Sequence, residues 1–135
     1  MHLIIDGFGS NPNALEDEDS IYEFLDQYPA EIGMTKIASP KVYRYVGSKP
    51  EDWGLSGIVL IAESHISMHT FVEHSFVNVD IFSCKDFDVD QAVECLRERL
   101  CLSTLKTWVL SRGWDSFNQD RIIEAREMVM PGTTK

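Results

Sequence analysis

The stretch Gly57-Ile-Val-Leu-Ile-Ala-Glu-Ser-His-Ile-Ser-Met-His-Thr-Phe-Val-Glu73 decides how the chain is read. Ile58–Ala62 is a short, continuous apolar run, which predicts a strand with both faces covered or with a partner layer close by. The run stops abruptly at Glu63-Ser64-His65, and a second His follows at 69 and a Glu at 73. Polar, potentially reactive groups therefore crowd the exit of a buried strand. Residues 65–75 mix polar and apolar types and read as a connection.

Outward from this centre, Phe76-Val-Asn-Val-Asp-Ile-Phe82 alternates cleanly, so Val77, Val79 and Ile81 share one strand face and Asn78 and Asp80 the other. Asp88 suits the cap of a helix over 89–101, with Val89, Ala92, Val93, Leu96 and Leu100 as its apolar stripe and Cys95 and Cys101 on it. Lys106–Ser111 reads as a strand stopped by Gly113, and 119–130 as a last amphipathic helix. Upstream, 35–46 looks extended, with Pro40 marking a bulge or an edge position, and 47–54 is a surface loop. Ile21, Phe24, Leu25 and Tyr28 give a helical face within 14–28. Ser20 and Glu23 fit a capping box that would start this helix at 20. The acidic run at 16–19 suits a helix N-terminus, but a solvated face is the plainer reading. Residues 2–6 form a first strand. The pattern predicts an α+β fold: a two-layer sandwich, an antiparallel β-sheet with helices packed on one face.

At 135 residues the chain fits a single domain spanning 1–135, large enough for a real core. No apolar run approaches the ~18 residues of a membrane span, and no signal peptide is evident, so the expectation is a cytoplasmic protein with no membrane partner. The formal net charge of −10 disfavours a nucleic-acid partner, which needs a basic surface. Three Cys with no CxxC pair exclude a disulfide framework. His65 and His69 stand at i, i+4, but the stretch does not read as a helix and no H-E-x-x-H is present, so no metal is expected. On residue chemistry alone, Ser64 invites a nucleophile reading but lacks a G-x-S-x-G elbow, so a structural serine is the plainer one. Cys84 reads as a small buried residue, and Tyr43, Tyr45, Trp53 and Phe71 offer rings to a planar ligand or, more plainly, serve as core and loop-anchoring aromatics.

The span Gly54–Glu73, with E-S-H-x-x-x-H-T at Glu63–Thr70, resembles the small prokaryotic S-adenosylmethionine decarboxylases. Phe76–Cys84 continues the likeness, which covers about 2–112. The resemblance implies a proenzyme that cuts itself between Glu63 and Ser64. Ser64 attacks the preceding carbonyl, the amide becomes an ester, and elimination turns Ser64 into a pyruvoyl group, the covalent cofactor. That group captures the substrate amine and takes up the electrons left by CO2. By the same resemblance His69 serves processing as a base, Ser56 assists it, and Cys84 protonates the product. Glu73 binds the ribose hydroxyls across a dimer interface, and Tyr45 stands where an adenine-stacking Phe is usual. The substrate implied is S-adenosylmethionine, the product the aminopropyl donor for spermidine, and the assembly a homodimer.

Departures from the family pattern are Asp6 for a Glu, a small insertion over 46–53, Phe71-Val72 for W-P, and Lys85 for the Gly after the Cys. They leave two alternatives: a pyruvoyl-dependent decarboxylase of another amino acid such as ornithine or arginine, or a non-catalytic regulatory paralogue. Retention of Ser64, His69 and Cys84 argues against the second.

Overall fold

A computed structural model of the chain describes residues 1–112 and 125–129. Its seven strands are β1 (His2–Gly9), β2 (Lys41–Val46), β3 (Trp53–Ile61), β4 (Ser64–Phe71), β5 (Phe76–Ser83), β6 (Leu102–Leu110) and β7 (Ala125–Val129). They form one sheet in the order β2-β3-β4-β5-β1-β6-β7, antiparallel throughout. The helices are α1 (Pro12–Glu16), α2 (Glu18–Glu31) and α3 (Val89–Arg99), with a 3-10 turn at Val72–His74.

Strand alternation decides which side is covered. Leu3 and Ile5 of β1, Leu55 and Val59 of β3, Ile66 and Met68 of β4, and Val77, Val79 and Ile81 of β5 are buried. They share one core with Ile21, Phe24, Leu25 and Tyr28 of α2 and Ala92, Val93 and Leu96 of α3. The expected α+β sandwich with helices on one face therefore stands. Truncating a fully buried Leu or Ile of this layer costs about 2–5 kcal/mol.

The other face of the sheet carries no helix among the described residues. Opposed residues of an antiparallel pair share a face, so the registers Tyr43↔Ser56↔His69↔Asn78↔Asp6 and Ile58↔Ser67↔Asp80↔Ile4 run across it. Ile58 and Leu60 are 39% and 46% exposed there, so of the two readings of β3 the one with both faces covered is not met. Phe8, Phe71 and Phe76 cluster on the same side, with Phe8 and Phe76 ring centroids 4.8 Å apart. His2 meets Asp80 at 2.8 Å, and Asn78 donates to Asp6 at 2.6 Å.

Several local expectations are corrected. Residues 65–71, read as part of a connection, belong to β4, because Ile66 and Met68 supply a buried alternation and β3 and β5 offer backbone partners on both sides. Within 119–130, Ala125–Val129 is a strand rather than a helix, paired to β6 from Lys106 to Leu110; the remainder of that span lies outside the described residues. The first helix divides at Asp17, whose side chain accepts from Ser20 N–H at 3.1 Å, so Asp17 rather than Ser20 caps α2. Glu18 and Asp19 then fall in the first turn, where their charge opposes the positive end of the helix dipole. Cys101 lies beyond α3 at φ 53, and β2 begins only at Lys41, after Pro40, as an edge strand.

Gly54 permits a close approach between β3 and β4. A Cβ on it would lie 1.8 Å from the Thr70 carbonyl oxygen, and Leu55 N–H bonds instead to Thr70 Oγ1 at 3.0 Å. Gly54→Ala is expected to lower stability by about 3 kcal/mol, read as a reduced urea midpoint; an unchanged midpoint would contradict the close approach.

Candidate active site

β3 and β4 form a hairpin joined by Ala62 and Glu63, with Ile61 paired to Ser64. Ser64 has φ 152, a region that side-chain-bearing residues rarely occupy, at a cost of about 1–3 kcal/mol. The strain sits on the residue immediately after the Glu63–Ser64 bond. Glu63 is buried for its type, 8% exposed, and its contacts fix it from three sides. Its carbonyl oxygen accepts from Cys84 N–H at 2.9 Å. Its carboxylate accepts from Thr35 N–H at 3.0 Å, and Lys85 Nζ lies 4.0 Å from the other carboxylate oxygen. Ala62 N–H donates to the Thr35 carbonyl at 2.7 Å, closing the turn against the segment that follows α2.

Such a turn can do something chemical. An N–H aimed at the Glu63 carbonyl oxygen is placed to stabilise negative charge if the carbonyl carbon is attacked. Ser64 carries the nearest hydroxyl in sequence. Cys84 follows β5 directly and is exposed. Burial pushes the Cys95 thiol pKa up.

Ser56 and His69 occupy a different place. They oppose one another across β3 and β4, and Ser56 Oγ lies 2.8 Å from His69 Nδ1. They line a cleft of about 240 Å³ together with Tyr45, Asp52, Trp53 and Phe71. Next to it, Trp53 Nε1–H donates to Glu73 Oε1 at 3.1 Å, and the Arg44 guanidinium stacks 4.2 Å over the Trp53 ring. Ser64 and His69 are five positions apart on an extended strand, roughly 16 Å at ~3.3 Å per residue. The structure thus brings together Glu63, Ser64 and Cys84 at one end of the hairpin, and Ser56, His69, Tyr45 and Glu73 towards the other. His65 lies edge-on to Phe82, with ring centroids 5.6 Å apart.

Sequence reasoning set Trp53 among the aromatics able to stack on a planar ligand but not as the partner of Glu73, and it passed over Thr35. Nothing local marks Thr35 as the donor to a carboxylate 28 positions away. Among the described residues no group of His, Cys, Asp and Glu is arranged to hold a metal ion. Among the same residues no helix is long and apolar enough to cross a membrane.

Fold and site together define a two-layer α+β protein whose β3–β4 hairpin carries a serine in a strained backbone conformation beside a cysteine. Residues 1–113 match the family model described as S-adenosylmethionine decarboxylase. A Clostridium botulinum (strain Hall) protein named S-adenosylmethionine decarboxylase proenzyme is 35% identical over 113 residues, 83% of this chain and 92% of that one. A protein of the same name from Archaeoglobus fulgidus is 33% identical over 113 residues, 83% of this chain and 96% of that one. The chain belongs to the S-adenosylmethionine decarboxylase family. The crystal structure of the adenosylmethionine decarboxylase from Aquifex aeolicus VF5 has a TM-score of 0.65 and 24% identity, covering 99% of this chain and 95% of that one. At that identity the likeness speaks for the fold.

Proposed function

We propose that the chain cuts itself between Glu63 and Ser64 and then decarboxylates S-adenosylmethionine to the aminopropyl donor of spermidine synthesis. The observation that carries this reading is the pairing of a strained Ser64 with a Glu63 carbonyl already held by the Cys84 N–H. The Ser64 hydroxyl adds to the Glu63 carbonyl carbon, the C–N bond breaks, and an ester and a free amine result. Removal of the Ser64 α-hydrogen expels the Glu63 carboxylate with the serine oxygen and leaves a dehydroalanine. Water then replaces its nitrogen, which departs as ammonia.

The residues present fit the resulting pyruvoyl group: Ser64 supplies its atoms, and the turn holds the carbonyl that must be attacked. When formed, it supplies an electrophilic carbonyl for the substrate amine and a sink for the electron pair left by CO2. The Cys84 thiol returns a proton to carbon. Glu73, oriented by Trp53, accepts from the ribose hydroxyls, and Tyr45 offers a ring to the adenine. A cytoplasmic location goes with this reading.

We further propose a homodimer whose copies complete one another's sites. His69 cannot act as a base on a serine roughly 16 Å away in its own strand. The cleft around it, about 240 Å³, falls short of the ~300–1,000 Å³ usual for a small-molecule site. The sheet face beside it exposes Ile58, Leu60, Phe71 and Phe8, an apolar surface that a second copy can cover. A two-fold pairing of two such faces is expected to bring the open-face Ser56 and His69 of one copy to the hairpin turn that carries Ser64, beside Cys84, in the other.

The activity is tested by CO2 release from purified, cleaved protein given S-adenosylmethionine; release from ornithine or arginine instead would overturn the substrate. Within that assay, Trp53→Phe keeps the ring and removes the bond to Glu73. KM is expected to rise about three- to tenfold with kcat little changed. An unchanged KM would remove the Trp53–Glu73 pair from substrate binding.

A further inference from the structure

Lys85 stands beside the bond that the proposed cleavage breaks, at the position where the sequence departs from its family's glycine. Its backbone N–H donates to Ser83 Oγ at 2.9 Å, and Ser83 is fully buried, so the main chain at Lys85 is fixed. Its ammonium donates to the Gly33 carbonyl at 3.2 Å and lies 4.0 Å from Glu63 Oε2. Gly33 has φ +74 at the end of α2, a conformation that turns the chain into the segment whose Thr35 N–H binds the same Glu63 carboxylate. Two strands of contact, one from 33–35 and one from 83–85, therefore converge on Glu63.

Before cleavage this grip is modest, because the ammonium is more than half exposed and an exposed ion pair contributes little. Cleavage changes the charge. Glu63 becomes a chain end, and its carbonyl, held by Cys84 N–H, becomes one oxygen of an α-carboxylate. The residue then carries two negative charges, of which the side-chain carboxylate lies 4.0 Å from the Lys85 ammonium, and it has lost the covalent bond that held it to β4.

We propose that Lys85 is a positioning residue that clamps the newly made Glu63 chain end, keeping it seated beside the converted Ser64. This rests on the self-cleavage reading. It predicts that Lys85 matters more to the cleaved protein than to the intact one, which an ordinary surface lysine does not.

The test compares Lys85→Met in two backgrounds: the cleaved protein and the uncleaved Ser64→Ala chain. Melting is followed in each, and retention of fragment 1–63 is followed by gel filtration with mass detection of the peaks. The expected result is a fall in Tm about 4 °C larger in the cleaved background. Fragment 1–63, whose β1 pairs with both β5 and β6, stays in the eluted complex, and Lys85→Arg restores the melting temperature. Equal falls in the two backgrounds would overturn the clamp and leave self-cleavage standing. A chain with Ser64 intact that never yields the two fragments would overturn both.

Discussion

Ser64→Ala is expected to leave the chain in one piece and to abolish decarboxylation to the limit of detection. The size of the effect follows from what the side chain supplies. Alanine has no oxygen to add to the Glu63 carbonyl, so neither the cleavage nor the carbonyl cofactor can form. Every later step depends on that group, and no other residue near the turn offers a comparable electrophile. The fold should survive, since Ser64 begins β4 and its backbone pairs with Ile61 and Ser83 do not use the hydroxyl. Gel electrophoresis and a CO2-release assay on the same preparation read both consequences. A cleaved Ser64→Ala chain, or an uncleaved one with activity, would remove Ser64 from its role.

The second large effect is a rescue. His69→Ala alone is expected to block cleavage, because the base facing Ser64 in the dimer is lost. Ser64→Ala alone is also dead. Co-expressed, the two chains should form mixed dimers in which one of the two sites pairs an intact Ser64 with an intact His69. Random association then returns about a quarter of the wild-type sites. With the chains differently tagged, the cut should appear only in the His69→Ala chain, which keeps its serine. The geometry leaves little room for the alternative, since the two residues are separated along one extended strand. Efficient cleavage of the His69→Ala chain by itself, or no rescue on mixing, would contradict sites built from two copies.

Sequence legibility followed how local the determining interaction was. Val77, Val79 and Ile81 announce β5 because alternation is written into consecutive residues, and Asp88 announces α3 because a cap acts over three positions. β4 was harder: Ile66 and Met68 alternate properly, but His65, Ser67 and His69 occupy the open face and make the stretch look like a loop. Its partners, β3 and β5, supply the hydrogen bonds that decide the matter. Ala125–Val129 carries a helical-looking pattern and becomes a strand by pairing with β6. Asp17 and Ser20 are both good caps, and the break after α1 selects Asp17.

For the site, the family motif pointed to Ser64, His69 and Cys84 but compressed them. Written in a line they look like one cluster, whereas an extended strand spreads Ser64 and His69 to opposite parts of the hairpin. The contacts of Thr35 and Lys85 with Glu63 span 28 and 22 positions and leave no trace in either local pattern.

The central claim is that Glu63 and Ser64 part company by the chain's own chemistry. An intact-mass spectrum of the purified wild-type protein, after prolonged incubation, tests it most directly. The account predicts two species, residues 1–63 and residues 64–135, the second lighter by one ammonia than a serine-ended chain and resistant to amino-terminal degradation. A single full-length mass would contradict it.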